Sequence, residues 1–426
     1  MKNLDIILTI DVVEPDLVRA VHKLSEELGR PLKGIVLVSK VFADFPERPR
    51  DHTGLFEEIN CDFDNQDEMQ QLMKSYSDRL LAVTYRFEES SVQLRKLLPF
   101  IPYLHAPGET SLLWASEKHL MRDRLRGYDE NLVPKYKKLE KYDPEIIKDI
   151  VSTMQFPMIV KPSALYESLL VSEVKNEEEL AICLKHTFES IIQVYAKAHQ
   201  ILEPRVLVEE FMLGKLYSID AYVNYKGDIF HTPPVGVTIA HDIGLPGFYS
   251  FETFVPSGLS EPEINDANKT ASAAIKALNL RSTSTHIEMF NGPDGWKVIE
   301  IGSRIGGYRD LLYREGYGIE HYLNDLKIHM GMEPVINHVP TGNAVALNLY
   351  GDNEGTLVSI GDFEAASKLE SVVYLNKMAE IGEQVTYTDT GGVWVINGIL
   401  SNKDADTLAQ DVTKLRELIK IDITPK

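Results

Sequence analysis

The sequence THIEMFNGPDGWKVIEIGSRIGGYRD, residues 285–310, predicts a β-hairpin followed by a loop that carries glycines. The first strand is expected at His286–Phe290 and the second at Trp296–Ile301. The residues between them, NGPDG, are strong turn formers. Because both strands mix apolar and acidic side chains, the hairpin is expected to contribute to the core on one face and to a site on the other.

Side-chain alternation assigns the faces of this hairpin. If Phe290 and Trp296 are partners across the turn, Glu288 and Glu300 share a face as diagonal neighbours, about 7–8 Å apart at the backbone. Two carboxylates at that spacing can hold metal ions between them, and Val298 is expected on the same face. A register shift of one residue would turn one glutamate away. The opposite face is expected to join the core through Ile287, Met289, Ile299 and Ile301.

Composition excludes several classes of protein. The 426 residues are 44% apolar and 25% charged, which is ordinary for a globular chain. A net charge of −20 argues against a nucleic-acid partner, because phosphate backbones require clustered cations. Cys61 and Cys183 give neither a disulfide framework nor a zinc-binding spacing, so a reducing cytoplasm is expected. No apolar stretch approaches the length of a membrane span, so no membrane partner is expected.

Residues 1–105 predict an α/β domain with a parallel sheet. Apolar strand segments (4–10, 34–39, 80–85) alternate with helical segments at 15–29 and 66–76. The first helical segment has Pro at its start and Gly at its end. The turn after the first strand, TIDVVEPD, lacks the glycines of a dinucleotide-binding loop, which argues against a nicotinamide or flavin site.

The pattern of predicted helices and strands changes near residue 105. A helix is predicted at Ser111–Arg126, which would place Lys118 and Arg122 on one face. PMIVKP predicts a buried strand that ends in Lys161, and RVLVEEFMLG predicts another strand at 205–214.

The rest of the chain is expected to begin with an irregular region and to end in a β-rich tail. Residues 231–260 are predicted to be mostly loop, and loops of that length are usually functional. From residue 342 the pattern alternates strands and turns before a final helix.

Three features in this order resemble the ATP-grasp superfamily over about residues 105–335. The first is Lys161 at the end of a buried strand, followed by a turn. The second is the strand end Glu209–Phe211, followed by a glycine. The third is the acidic hairpin, followed by Ser303–Arg304 and Gly306–Gly307. The sequence EIGSRIGG with an upstream His-x-Glu is similar to the L-amino-acid ligases and carnosine-synthase-like enzymes, and the tail resembles biotin-carboxylase-like members.

The resemblance implies a fold class that mixes α/β and α+β organisation, namely the ATP-grasp fold. An N-terminal α/β domain is expected at residues 1–105 and the ATP-grasp region at 106–335, with a lid subdomain at about 152–213. A β-rich C-terminal lobe at 336–426 is expected to be part of the catalytic core domain.

The resemblance also implies which residues contact ATP. The turn SALYES (163–168) has no glycine, unlike most members, and Leu216 stands where a ribose-binding glutamate is common. From the residues alone, the lysine at the strand end can equally be one that extends to water, and SALYES an ordinary hairpin turn. The implied ATP-binding residues are Lys118, Lys161, Ser163, Ser168, Glu209, Glu210 and Phe211.

Glu288 and Glu300 are implied to hold Mg²⁺, with Mn²⁺ as an alternative ion. Arg304 has a forked donor that can clamp a phosphoryl or carboxylate oxygen, so Arg304 and Glu300 are the implied catalytic residues. The residues alone also allow two solvent-facing glutamates and a structural arginine ion pair. Further substrate-binding candidates are His286, Glu252, His241, Arg309, Gly306 and Gly307.

The activity implied by the resemblance is an ATP-dependent carboxylate–amine ligase that joins amino acids or similar small molecules. The reaction would pass through an acyl phosphate and release ADP and phosphate. Two alternatives remain at this point: a biotin-carboxylase-like carboxylase that uses bicarbonate, and a nucleotide-binding protein without turnover. A homodimer is a further expectation.

Overall fold

A computed structural model describes residues 4–45, 48–165, 169–197, 202–244, 248–351, 353–385 and 394–425. The N-terminal unit is a parallel sheet in the order β3-β2-β1-β4 with flanking helices, as the sequence predicts. Helix α1 begins at Pro15, and Gly29 ends it in a left-handed conformation with φ 63°. The elements are β1 (Ile6–Ile10), α1 (Pro15–Leu28), β2 (Lys33–Val38), α2 (Lys40–Ala43), β3 (Phe56–Asn60), α3 (Gln66–Tyr76), β4 (Leu80–Tyr85) and α4 (Ser90–Leu97).

The segment predicted as one helix at Ser111–Arg126 forms two helices. They are α5 (Glu109–Ser116) and α6 (Lys118–Tyr128). Glu117 between them has an extended backbone, and the amide of Lys118 donates to the Ser163 carbonyl at 3.0 Å. The break therefore makes Lys118 the first residue of α6.

A small antiparallel sheet with two covering helices follows. Its strand order is β5-β8-β6-β7, and its buried residues form a core of their own. Because β5 belongs to it, this sheet begins before residue 152, where the lid subdomain was expected to start. Its elements are β5 (Tyr136–Leu139), α7 (Pro144–Thr153), β6 (Met158–Pro162), β7 (Ser172–Val174), α8 (Glu177–Lys197) and β8 (Val206–Glu210).

A large antiparallel sheet forms the centre of the molecule. Its order is β14-β13-β9-β11-β12-β15-β19-β17, and β10 pairs with β9. The prediction that residues 231–260 are mostly loop is wrong, because β11 and β12 lie there and join this sheet. These elements are β9 (Lys215–Val223), β10 (Ile229–His231), β11 (Val235–Ile239), β12 (Ser250–Val255), α9 (Glu261–Ala277), β13 (Thr283–Gly292), β14 (Gly295–Gly302), α10 (Arg309–Tyr317) and α11 (His321–His329).

The C-terminal residues continue the same large sheet and add a small one. Strands β15, β17 and β19 extend the large sheet, so the tail is continuous with the central core. The small sheet has the order β18-β16-β20. The elements are β15 (Asn343–Leu349), β16 (Gly355–Ser359), α12 (Phe363–Ser367), β17 (Val372–Lys377), β18 (Gln384–Val385), β19 (Ile396–Asn402), α13 (Ala405–Leu418) and β20 (Asp422–Pro425).

The register of the β13–β14 hairpin differs from the prediction. Glu288 lies directly opposite Glu300, because the register shifts between Glu288 and Met289. This irregularity reverses the expected faces of two neighbours on β14. Val298 is buried in the main core, whereas Ile299 packs with the apolar cluster on the other face. The two glutamates are therefore direct neighbours rather than diagonal ones.

No helix in the described ranges is both long and apolar enough to span a bilayer.

Candidate active site

One cavity of about 870 Å³ lies where the N-terminal unit, the small sheet and the large sheet meet. Each unit contributes side chains to it, for example Phe87, Lys161 and Glu300. The cavity has an apolar end near the small sheet and a charged middle on the β13–β14 hairpin.

The apolar end has the shape of a slot between the two sheets. Phe211 follows β8, and its ring centroid lies 5.6 Å from that of His241. Phe248 stacks on His241 with a ring separation of 5.5 Å. A flat aromatic ligand can stack against such a surface. The remaining apolar lining comes from Leu216, Val237, Ile239, Phe290 and Ile299.

The strand end beside this slot already uses its own donors. The amide of Glu210 donates to the Lys135 carbonyl at 3.0 Å, and the amide of Phe211 donates to the Pro157 carbonyl at 3.1 Å. The Glu210 side chain lines the cavity and pairs with Lys135 at 3.3 Å. The amides of Glu210 and Phe211 are therefore already engaged within the protein, although both residues were predicted to contact ATP.

Glu209 is the centre of a buried ion cluster. Its carboxylate accepts from Arg122 at 2.6 and 3.1 Å and lies 2.7 Å from the Lys161 amine. Burial alone would raise the pKa of Glu209, but the charges of Arg122 and Lys161 lower it to about 2. Burial lowers the pKa of Lys161 to about 8, against the opposing effect of Glu209. Glu209, which was predicted to contact ATP, thus holds the lysine at the cavity wall.

The turn after β6 departs from the expected phosphate loop. Ser163 is buried, and its hydroxyl lies 2.8 Å from Nδ1 of His119. It does not line the cavity in this structure, and its contact with phosphate stays a prediction. The His119 imidazole is in turn 2.7 Å from Arg205. Ser168 lies outside the described residues.

The charged middle of the cavity contains both hairpin glutamates. The side chains of Glu288 and Glu300 are each about one-third exposed, at 33% and 32%, so both are open to a ligand. Lys118 lies 3.2 Å from Glu300 and donates to the Leu165 carbonyl at 2.8 Å. This lysine therefore spans from the hairpin to the turn after β6, which agrees with a role beside phosphate.

A buried acid, Asp220 on β9, organises the residues behind Glu288. Its carboxylate contacts His286 Nδ1 at 2.6 Å and His321 Nε2 at 2.7 Å, and it accepts from the Gly306 amide at 2.8 Å. Burial lowers the pKa of His286, but the Asp220 charge outweighs burial and raises it. The other nitrogen of His286 lies 3.5 Å from Glu288. His286 thus positions Glu288, although it was predicted to bind substrate.

Glycine is the one residue type that fits at position 306. A Cβ built there would lie 2.5 Å from Nδ1 of His286, whereas a Cβ on Gly307 would meet nothing within 4 Å. We expect Gly306→Ala to displace His286 and to lower turnover by about 10²-fold, since small misplacements at a reacting centre have effects of that size. Gly307→Ala is the matched comparison, and its turnover should fall far less. Initial rates of ADP release, with circular dichroism as the folding check, test this; equal losses would contradict it.

The loop after the hairpin brings two arginines to the cavity. Arg309, at the start of α10, donates to the Ser218 hydroxyl at 2.8 Å and to the Gly307 carbonyl at 3.0 Å. Arg304 lies 3.2 Å from the carboxylate of Glu88, which follows strand β4 of the N-terminal unit. Both guanidinium groups line the cavity. The structure therefore places the predicted clamp, Arg304, beside a carboxylate that the sequence did not indicate.

The remaining predicted residues divide into those inside and those outside the cavity. His241 lines it, whereas Glu252 does not and instead forms an ion pair with Arg416 of α13. The substrate contact of Glu252 stays a prediction that this geometry does not support. The sequence reasoning missed Glu88 and Asp220. Two signals were available: Glu88 follows the carboxyl end of a parallel strand, and Asp220 interrupts the apolar strand LYSIDAYV.

Comparison with known proteins agrees with this geometry. Residues 154–310 match the family described as the ATP-grasp domain. D-alanine–D-alanine ligase of Natranaerobius thermophilus is 25% identical over 48% of this chain and 60% of its own length. The corresponding ligase of Chlorobaculum tepidum is 26% identical over 39% of this chain and 43% of its own length. The chain thus spans less than two thirds of each relative.

A solved structure matches the whole fold. The L-amino acid ligase from Bacillus licheniformis superimposes with a TM-score of 0.77, at 17% sequence identity, over 100% of both chains. At that identity the likeness establishes the fold. The predicted fold class is confirmed, including the N-terminal α/β unit, the small lid sheet and the C-terminal β lobe. Residues 154–310 thus match the ATP-grasp domain, and the chain as a whole has the fold of the L-amino acid ligase structure.

Proposed function

We propose that the protein is an ATP-dependent carboxylate–amine ligase that joins amino acids or amino-acid-like molecules and releases ADP. The observation that carries this proposal is a cavity in which an apolar slot leads to Lys118, Glu288, Glu300 and Arg304. Such a cavity suits a purine at one end and a triphosphate in the middle. The space beyond Arg304 is then left for a second molecule. The similarity to D-alanine–D-alanine ligases supports the choice of substrate class.

The proposed chemistry has two steps. A carboxylate oxygen of the first substrate attacks the γ-phosphorus of ATP, and the bond from that phosphorus to the ADP oxygen breaks. The amine nitrogen of the second substrate then attacks the acyl carbon; the bond to phosphate breaks and the nitrogen loses a proton. Arg304 faces the charge that develops on the transferred group, and Lys118 and Lys161 offset the charge of the phosphates.

The two hairpin carboxylates fit a Mg²⁺ ion. Mg²⁺ takes oxygen ligands and is commonly bound by one or two carboxylates together with substrate phosphates and water. Among the described residues no cluster of three or more His, Cys, Asp or Glu side chains is arranged for a metal. Glu288 and Glu300, which lie directly opposite each other on the hairpin, would be the protein ligands. The ion, when bound, neutralises part of the triphosphate charge.

The proposal predicts ADP release that requires a carboxylate, an amine and Mg²⁺ together. Purified protein is screened with pairs of amino acids, and nucleotide products are separated by chromatography. ADP and phosphate are expected, with a dipeptide or amide detected by mass spectrometry. AMP as product would overturn the acyl-phosphate scheme. ADP formation with bicarbonate alone would favour the carboxylase alternative, and binding of ATP without release under any pair would favour a protein without turnover.

The cytoplasmic location and the homodimer stay predictions. So do the domain boundaries at residues 105 and 335.

A further inference from the structure

Aromatic side chains of the N-terminal unit line the cavity beyond Arg304. Phe42, on α2, stacks on Phe87 with ring centroids 6.0 Å apart and an interplanar angle of 11°. Phe45 meets Phe42 edge to face at 6.4 Å. All three face the cavity, and Phe45 is 42% exposed. We call these three residues the aromatic wall. An apolar surface left open inside a cavity is stabilised when a ligand covers it.

Glu88 lies next to this wall with an incomplete set of partners. Within the described ranges, both of its carboxylate oxygens are screened from solvent and accept no hydrogen bond. Its nearest cation is Arg304, at 3.2 Å. Burial is the largest cause of the raised pKa of Glu88. The charge of Arg304 lowers that pKa, and the charge of Glu300 raises it further. A buried carboxylate without hydrogen-bond donors is costly. It therefore favours a ligand that brings a donor of its own.

The position of Glu88 is fixed by the loop that carries it. The Tyr85 hydroxyl lies 2.9 Å from the Ser303 carbonyl, and Arg86 donates to the Ile305 carbonyl at 3.1 Å. These bonds hold the end of β4 against the residues on either side of Arg304. The aromatic wall and Glu88 are thus part of the cavity rather than of a separate surface.

We propose that this end of the cavity binds an α-amino acid with a large apolar side chain. The substrate's ammonium group pairs with Glu88, its carboxylate lies toward Arg304, and its side chain covers the aromatic wall. An α-amino acid carries both opposite charges on neighbouring atoms of one small molecule, so a single ligand can pair with both groups. The inference rests on the proposed function only for what happens to the substrate afterwards, because binding by itself does not require turnover.

Calorimetry on the full chain with Mg²⁺ and ADP tests this directly. The probes are L-phenylalanine, L-leucine, glycine and 3-phenylpropanoate, which lacks the ammonium group. We expect L-phenylalanine or L-leucine to bind at least about tenfold more tightly than glycine, in line with the effect of apolar side-chain burial on specificity. Phenylalanine should also bind about tenfold or more tightly than 3-phenylpropanoate, since only phenylalanine can form the charged hydrogen bond with Glu88.

Variants assign these effects to residues. Phe87→Ala should weaken binding of phenylalanine by about tenfold and leave glycine almost unchanged. Phe45→Ala, at the more exposed ring, should act in the same direction and replaces Phe87→Ala if that variant does not fold. Glu88→Gln should remove the preference for phenylalanine over 3-phenylpropanoate. Glu57→Gln, at an exposed site on β3, is the matched control and should match the unmodified protein.

The outcomes separate this inference from the proposed function. Equal binding of glycine and the apolar amino acids, or no binding of any amino acid, overturns it. An unchanged preference for phenylalanine in Glu88→Gln overturns the role of Glu88. ADP release that occurs only with small or acidic amino acids would reject the substrate class and leave the ligase proposal in place. Binding of phenylalanine without any ADP release would support the substrate class and reject the ligase proposal.

Discussion

Replacing Arg304 with alanine is expected to lower the rate of ADP release at saturating substrates by about 10²–10³-fold, the usual effect of removing one charge-stabilising donor at a reacting centre. Arg304 lines the cavity between the hairpin glutamates and the aromatic wall. Its forked guanidinium can bind two oxygens of a transferred phosphoryl group at once, which a lysine cannot reproduce. Arg304→Lys should therefore recover only a small part of the rate.

Two measurements make this prediction specific. ATP binding should remain close to that of the unmodified protein, because the guanidinium acts on charge that develops during the reaction. Thermal unfolding should show a folded protein of lower stability, because Glu88 is left without its cation. Arg281→Ala is the control, since Arg281 is exposed and donates only to the Lys226 carbonyl in the structure described. A folded Arg304→Ala protein that releases ADP at the normal rate would remove Arg304 from the proposed site.

Replacing Glu209 with alanine is expected to lower the free energy of unfolding by about 3–5 kcal/mol, the cost of leaving a buried charge without its partner. The Glu209 side chain is 2% exposed and is held between Arg122, at 0%, and Lys161, at 8%. Removing it leaves two cations facing each other in the interior. Urea unfolding followed by circular dichroism gives the free energy directly.

The neighbouring Glu210→Ala is the control for this experiment. Glu210 pairs with Lys135, whose side chain is 67% exposed, so the expected change is only about 0–1 kcal/mol. Losses of equal size in the two variants would show that the buried cluster does not stabilise the fold. Lys161 lines the cavity, so Glu209→Ala should also weaken ATP binding.

Acid provides an independent readout of the Glu209 cluster. The pKa of Glu209 is about 2 in the folded protein, compared with an ordinary value of 4.5. Between these two values the unfolded chain binds the extra proton, so the stabilisation is present above pH 4.5 and is lost as the pH falls toward 2. In Glu209→Ala this part of the acid-dependent loss of stability should be missing.

Local pattern was enough to predict much of the fold. The alternation of apolar strands and amphipathic helices in the N-terminal unit depends on residues close in sequence, and helix α3 lies at the expected residues 66–76. The long segment with β11 and β12 was mistaken for loop. Its strands are short and are flanked by Gly and Pro residues, and pairing within the large sheet outweighs those signals.

The sequence by itself determined that the β13–β14 hairpin carries two acids followed by Arg304, because turn residues and alternation act over a few positions. Only the tertiary structure decided which side chains meet there. A shift in register set Glu288 opposite Glu300 and exchanged the faces of Val298 and Ile299. Such a shift depends on packing against the neighbouring strand and the core, which no local pattern encodes.

The roles of the charged residues were also decided by the tertiary structure. Glu209 was predicted to contact ATP, and its carboxylate is instead paired with Arg122 and Lys161. Glu88 was not singled out from the sequence, and it lies in the cavity against Arg304. A charged residue's role depends on partners that are distant in sequence, and burial multiplies the strength of those pairings. The sequence therefore determined the chemistry available to the cavity, and the packing of the three units decided which groups remain open to a substrate.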